Sequence, residues 1–213
     1  SALSNYAVTY NNGSLVIGKA SLTITGSTRT VSYNAGSQTN TYSTSGLVGS
    51  DSVSSVTGLA SGTNYSATAY ADNLSAVSGS GLDNYTVSYV NGSLTINKAS
   101  LTVTGANNTV TYNGAEQTNS GASYSGQQGS DSFTISGYAK GTNAGTYTDS
   151  LSLTTLNGNG LSNYDVTYTQ GQLTINAAGI NALSIGGSKP YDGNAVFNAS
   201  LLSLSGIISS DIG

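Results

Sequence analysis

Nine side chains in the 213-residue sequence carry a carboxylate: Glu116 and Asp51, Asp72, Asp83, Asp131, Asp149, Asp165, Asp192 and Asp211. Three recur in register. Asp51, Asp131 and Asp211 are spaced by 80 and close the segments Ser45-Gly46-x-x-Gly49-Ser50-Asp51, Ser125-Gly126-x-x-Gly129-Ser130-Asp131 and Ser205-Gly206-x-x-Ser209-Ser210-Asp211. A carboxylate repeated in a Gly/Ser loop is a calcium candidate, because calcium takes oxygen ligands with carboxylates supplying the charge. There is no D-x-D-x-D series and no nonapeptide calcium repeat. The stronger expectation is that each Asp caps its own turn or collects backbone N–H groups. No cofactor is expected beyond that calcium possibility.

Catalysis has little to work with. The sequence has no His and no Cys, so a hydrolytic triad lacks its base and a thiol nucleophile is absent. Paired carboxylates could act as acid and base, but a catalytic group recurring once per repeat does not suit an enzyme, and none is expected. Lys19 and Lys98 also recur, which raises Lys–Asn isopeptide crosslinks; yet the register residue in the next copy is Ala177, and Glu116 occurs in one copy only. A solvated lysine at a joint is the simpler reading. Among the 15 tyrosines, Tyr42 and Tyr124 flank the variable loop and are expected to be exposed, where tyrosine could stack on a sugar ring.

These residues sit on a repeat. LDNYTVSYVNGSLTINKASLTVTG, Leu82 to Gly105, also occurs as Leu3 to Gly26 and again from Leu161, at steps of 79. Tyr85, Val87 and Tyr89 alternate with polar residues, Asn91-Gly92 offers a turn, and Leu94 and Ile96 resume the alternation, which predicts a β-hairpin. The copies are Tyr6, Val8, Tyr10, Leu15 and Ile17, and Tyr164, Val166, Tyr168, Leu173 and Ile175. Lys19-Ala20-Ser21 and Lys98-Ala99-Ser100 follow directly with no Gly/Pro-rich linker. A joint without spare residues predicts a stiff connection between repeats.

Gly, Ser, Thr and Asn exceed half of the residues, and only 7% are charged. Disordered chains usually lack aromatic and β-branched residues and carry charge; the alternating Tyr, Val and Ile here predict a folded chain instead. Net charge is −4, with Lys19, Arg29, Lys98, Lys140 and Lys189 the only cations, so there is no basic footprint for nucleic acid. No apolar run reaches the roughly 18–20 residues of a membrane span, and no disulfide is possible. Export signals and anchors are expected to lie outside these residues.

The fold expectation is all-β: a tandem array of small elongated β-sandwich-like domains of about 79 residues, each with seven or eight short strands. A β-solenoid is the alternative, though no sub-period of 20–30 residues occurs inside the 79. The expected divisions are 1–19, the closing hairpin of a preceding repeat; 20–98 and 99–177, two full repeats; and 178–213, the start of another.

The pattern NYxVxYxxGxLxIxKAxLTVT, with Tyr112-Asn113-Gly114 and Gly141 to Tyr147, resembles the MBG domain, a mostly β, glycine-rich repeat. Lys189-Pro190-Tyr191-Asp192-Gly193, with Gly206 and Asp211 downstream, is similar to the related YDG domain. The first repeat departs at Asn64-Tyr65-Ser66, where the second has Asn143-Ala144-Gly145. The resemblance implies a secreted bacterial adhesin of the filamentous-haemagglutinin type exported by two-partner secretion, or a biofilm-matrix protein, located outside the cell, with these repeats as a stalk. The expected partners are neighbouring repeats of the same protein. The alternative is that the repeats themselves bind exopolysaccharide or host glycan, or self-associate into a filament.

Overall fold

The structure, a computed structural model, describes residues 2–180, 184–196, 198, 203–205, 207, 208 and 211. The loop positions Gly206, Ser209 and Ser210 lie outside them. The described chain is all-β, with short 3-10 turns at Ala2–Asn5, Leu82–Asn84 and Leu161–Asn163. Its contacts divide it into two units. The first comprises residues 1–31 and 37–96; the second comprises 32–36 and 97–213. The five residues 32–36, placed by sequence inside the 20–98 repeat, therefore count with the second unit.

Unit 1 carries β1 (Ala20–Gly26), β2 (Thr28–Ser32), β3 (Gln38–Thr39), β4 (Tyr42–Ser45), β5 (Ser52–Thr57), β6 (Ser61–Gly62), β7 (Tyr70–Ala71), β8 (Ala76–Ser80), β9 (Tyr85–Val90) and β10 (Ser93–Asn97), the last residues of β2 and β10 counting with unit 2. They form sheets ordered β4-β1-β9, β2-β10-β7, β3-β6 and β5-β8. Unit 2 carries β11 (Ala99–Thr104), β12 (Asn107–Thr111), β13 (Gln117–Thr118), β14 (Ser123–Ser125), β15 (Ser132–Ser136), β16 (Lys140–Gly141), β17 (Gly145–Thr148), β18 (Ser152–Asn157), β19 (Tyr164–Thr169) and β20 (Gln172–Asn176). The same scheme returns as β14-β11-β19, β12-β20-β17, β13-β16 and β15-β18. Each of the two full repeats thus has ten strands rather than seven or eight, because two-residue strands are too short to show alternation. A final pair, β21 (Ser184–Gly186) and β22 (Ser203–Ser205), is antiparallel like β1 with β4. No described sheet exceeds three strands, unlike the long parallel stacks of a solenoid.

Alternation builds these strands. In β11, Ala99, Leu101 and Val103 are buried while Ser100, Thr102 and Thr104 face out. Leu22 and Ile24 of β1 are completely buried and pack with Leu74 and Tyr85, with Val53, Val56 and Val77 closing over them. In unit 2, Leu173 and Ile175 of β20 pack with Ala139, Val110, Tyr112 and Tyr147. Each such aliphatic side chain contributes about 1.5–3 kcal/mol on burial, and that sum is what keeps sheets this narrow folded.

The expected hairpin is corrected by the pairing. β9 and β10 have the alternation and the turn, but they do not pair with each other. β9 runs parallel to β1, Ala20 opposite Tyr85, and β10 joins β2 and β7 in a different sheet. β19 and β20 behave identically, with Ala99 opposite Tyr164. The turn at Asn91-Gly92 therefore carries the chain from one sheet to another. A Cβ at Gly92 would meet the backbone carbonyls of Gly26 and Ser27, so this turn passes close against the turn between β1 and β2.

The first copy of this stretch differs from the other two. Residues 6–17 form no strand, and Tyr6, Tyr10, Leu15 and Ile17 are exposed, Leu15 by 87% where its counterpart Leu94 is fully buried. The parallel register reaches back 65 residues, from Tyr85 to Ala20 and from Tyr164 to Ala99.

Candidate functional site

In unit 2 the recurrent carboxylate stands at the centre of a socket. The Asp131 side chain is 3% exposed and accepts hydrogen bonds at Oδ2 from the Tyr33 hydroxyl (2.7 Å) and the Tyr164 hydroxyl (2.6 Å). Its Oδ1 accepts from the Asn159 backbone N–H at 2.9 Å. The Asn159 amide also donates to the Tyr33 hydroxyl at 3.0 Å, and the Gln128 N–H donates to Tyr164 Oη at 2.8 Å. The rings of Tyr33, Tyr164 and Phe133 meet edge to face, with centroids 5.4 Å apart for Tyr33–Tyr164 and for Phe133–Tyr164. Such pairs are worth about 0.5–1.5 kcal/mol beyond their burial.

The electrostatics follow from this geometry. Burial works to raise the Asp131 carboxyl, but the bonds from Tyr164, Tyr33 and Asn159 outweigh it and hold the group below the usual carboxylate range. Burial, and then the bond to the Asp131 carboxylate, push both Tyr33 and Tyr164 above the ordinary phenol value. Tyrosine hydroxyls, and not the residue's own turn, are thus the main donors to this Asp. The turn itself closes through the backbone, from Asp131 N–H to Gln128 O at 3.0 Å.

The other two members of the register carry versions of the same site. Asp51 accepts from the Tyr85 hydroxyl (2.8 Å), and the Val48 N–H donates to that same hydroxyl. Burial and then Asp51 raise the Tyr85 hydroxyl as well, opposed by the Val48 bond. Asp211 accepts from the Tyr112 hydroxyl at 2.7 Å on both oxygens. A cleft of about 550 Å³ opens at Asp51, lined by Ile17, Gly18, Lys19, Val48, Asp83 and Tyr85 among others. The three calcium candidates are therefore partners of tyrosine hydroxyls, and no group of three or more metal-binding side chains occurs among the described residues.

A second carboxylate site went unread in the sequence. Asp149 is buried and accepts from the Asn119 amide at 2.9 Å on each oxygen and from the Ala139 N–H at 2.7 Å. Asp72 does the same in unit 1, with Asn40 at 3.0 Å, Ala60 N–H at 2.7 Å and Gly92 N–H at 2.9 Å. The signal was available: Gln38-Thr39-Asn40 and Gln117-Thr118-Asn119 repeat at 79, and an Asp-x-Leu triplet follows Tyr70 and Tyr147. The two knots differ at the Asn carbonyl oxygen. Asn119 Oδ1 accepts from the Asn108 amide at 2.7 Å, whereas Asn40 Oδ1 is buried without a donor because position 29 is an arginine that reaches the Thr39 carbonyl instead.

The joint residues are mostly at the surface: Lys19, Ser21 and Ser100 are exposed, Ala20 is half-buried and Ala99 is buried. Lys98 lies 3.7 Å from the exposed Asp165 carboxylate. Tyr42 and Tyr124 are half-buried rather than exposed; Tyr124 stacks edge-on against Phe133 and accepts the Phe133 N–H at its hydroxyl. Asn40 Oδ1 apart, the buried carboxylates of the Asp131 socket and of the two knots take their hydrogen bonds from donors inside their own units. No helix among the described residues is long and apolar enough to cross a membrane. No protein family, no curated protein and no solved structure matches the chain.

Proposed function

We propose that this chain is a structural stalk segment of a secreted bacterial surface or biofilm-matrix adhesin. It is a tandem array of sandwich-like units of about 79 residues that spaces a distal adhesive region from the cell. The observation that carries this reading is the ten-strand pairing scheme, which recurs complete in both units. The single residue Lys98 separates β10 from β11, so one repeat follows another without a linker. Buried Asp131, Asp149 and Asp72 spend their lone pairs on internal donors, and this supports a mechanical role over a chemical one. The sequence resemblance to MBG and YDG repeats points the same way.

A glycan array and an exopolysaccharide pull-down with the 213-residue chain test the proposal. A stalk segment binds neither. Saturable binding to one glycan class would replace it with the reading in which the repeats are themselves the adhesive surface.

A further inference from the structure

We propose that each full repeat is a shear clamp. Pulled by its two ends, it holds until a parallel ladder joining its first and last strands gives way all at once. The resistance rests on the strand pairing inside the repeats; that a load reaches them in life rests on the stalk reading.

The path of the chain through unit 2 sets the geometry. It enters the repeat at Ala99, the start of β11, and leaves it at Asn176, the end of β20. β11 pairs in parallel with β19 from Ala99–Tyr164 to Thr104–Thr169, and β12 with β20 from Asn107–Gln172 to Thr111–Asn176. Both pairings keep the same offset of 65 residues. Between them the Gly105 N–H donates to the Thr169 carbonyl at 2.8 Å, and the Gln172 N–H donates to the Ala106 carbonyl at 3.2 Å. Beyond them the Tyr112 N–H donates to the Asn176 carbonyl at 2.8 Å. β11–β12 and β19–β20 are therefore two kinked strands held in one register from Ala99 to Tyr112. The pairs β11–β14, β13–β16, β15–β18 and β17–β20 are all antiparallel. The first repeat follows the same plan: β1 runs parallel to β9, β2 lies beside β10, and the Ser93 N–H donates to the Ser27 carbonyl at 2.9 Å.

Parallel pairing puts the two loaded points at opposite ends of the ladder. Tension on Ala99 draws the first strand one way along its axis, and tension on Asn176 draws the last strand the other way. The ladder hydrogen bonds run between the strands, across the pull. They share the load, so none breaks far ahead of the rest. β13 to β18 lie off this path and carry no load until the ladder slides. A one-residue slip gives no relief, because it would turn the buried Leu101, Val103, Leu173 and Ile175 out of the core.

The Asn–Asp knot pins the ladder at its kink. The Asn119 amide donates to the Ala106 carbonyl on the first strand, and the Asp149 N–H donates to the Gly171 carbonyl on the last, each at 2.9 Å. Asn119 and Asp149 are bonded to each other. In unit 1 the Asn40 amide holds the Ser27 carbonyl at 2.7 Å, and the Asp72 N–H holds the Gly92 carbonyl at 3.1 Å. A buried amide–carboxylate pair thus spans both strands where they change sheet.

Single-molecule force spectroscopy on the 213-residue chain tests the proposal. The chain has no Cys, so handles can be coupled at introduced cysteines. Ser100, Asp165 and Asn176 are exposed, and Ser100 stands opposite Asp165. Ser100→Cys with Asn176→Cys pulls the ladder in shear. Ser100→Cys with Asp165→Cys, kept reduced until the handles are coupled, peels the same ladder from one end, bond after bond. Rupture is expected at several-fold higher force in shear, in one step that releases roughly 200–250 Å of chain. Asn119→Ala is expected to lower the shear force by removing the pin. Equal forces in the two geometries, a shear rupture spread over many small steps, or an unchanged shear force in Asn119→Ala overturns the proposal. The cysteines sit at exposed positions, so the comparison of geometries decides even where Asn119→Ala fails to fold. Glycan binding on the array leaves the rupture forces untouched, so the clamp and the stalk reading fail separately.

Discussion

The Asn119 amide donates to both carboxylate oxygens of Asp149, at 2.9 Å each, with both side chains buried. The same amide reaches the Ala106 carbonyl at 2.9 Å, and the Asp also holds the Ala139 N–H. One polar pair thereby ties β13, β16 and the segment after β17 to the turn after β11. Asp149→Asn replaces an acceptor by a group that is half donor, so it leaves buried donors facing one another. Unsatisfied buried groups cost about 1–3 kcal/mol each. Urea denaturation is expected to show at least that loss, whereas Asp165→Asn at the exposed Lys98 pair stays within about 0.5 kcal/mol.

Arg29→Asn is expected to stabilise. It places in unit 1 the amide that Asn108 supplies in unit 2, and Asn40 Oδ1 gains the donor it lacks. The gain should be about 1 kcal/mol, the usual worth of a hydrogen bond, less the loss of the exposed Arg29–Thr39 bond. A thermal midpoint equal to or below that of the unsubstituted chain would show that position 29 does not control the knot.

Gly171→Ala should be among the most damaging single changes. A Cβ there meets the Ala106 carbonyl and lies 2.6 Å from the Asp149 carboxylate and 2.8 Å from the Ala106 nitrogen. Backbone cannot give way as a flexible side chain can, so a loss of about 1–3 kcal/mol is expected from crowding alone. Gly13→Ala meets nothing within 4 Å and serves as the control in the same melting experiment.

The Asp131 socket sets two pH limits. Asp131 is held below its unfolded value, so its contribution is present above that value, near 4, and is lost as pH falls through the lower folded value. Tyr33 and Tyr164 are raised, so theirs is present below about 10 and is lost as pH rises through the folded values. Denaturant midpoints should fall at both ends. Tyr33→Phe removes one donor and one titrating hydroxyl, so its midpoint should be lower near neutrality and its alkaline fall shallower. An alkaline fall unchanged by Tyr33→Phe would count against the socket as its source.

Alternation, turn residues and the 79-residue step are local facts, and they were enough to place the longer strands such as β1, β9, β10 and β11 with their buried faces, but not the two-residue strands, and they put strands at residues 6–17 where none forms. Tyr85, Val87, Leu94 and Ile96 could be assigned to a core from spacing alone, because a strand's period of two sorts side chains by face. Spacing does not name a partner. Whether β9 pairs with β10 across Asn91-Gly92 or with β1, 65 residues back, is not written in either strand, and only the tertiary structure decides it. For the same reason Asp131 could be seen to recur but not to meet Tyr33, 98 residues away, and the repeated Asp72 and Asp149 could not be matched to the Asn40 and Asn119 amides that hold them. A carboxylate's role is set by the donors brought to it, and those arrive from strands and turns distant in sequence.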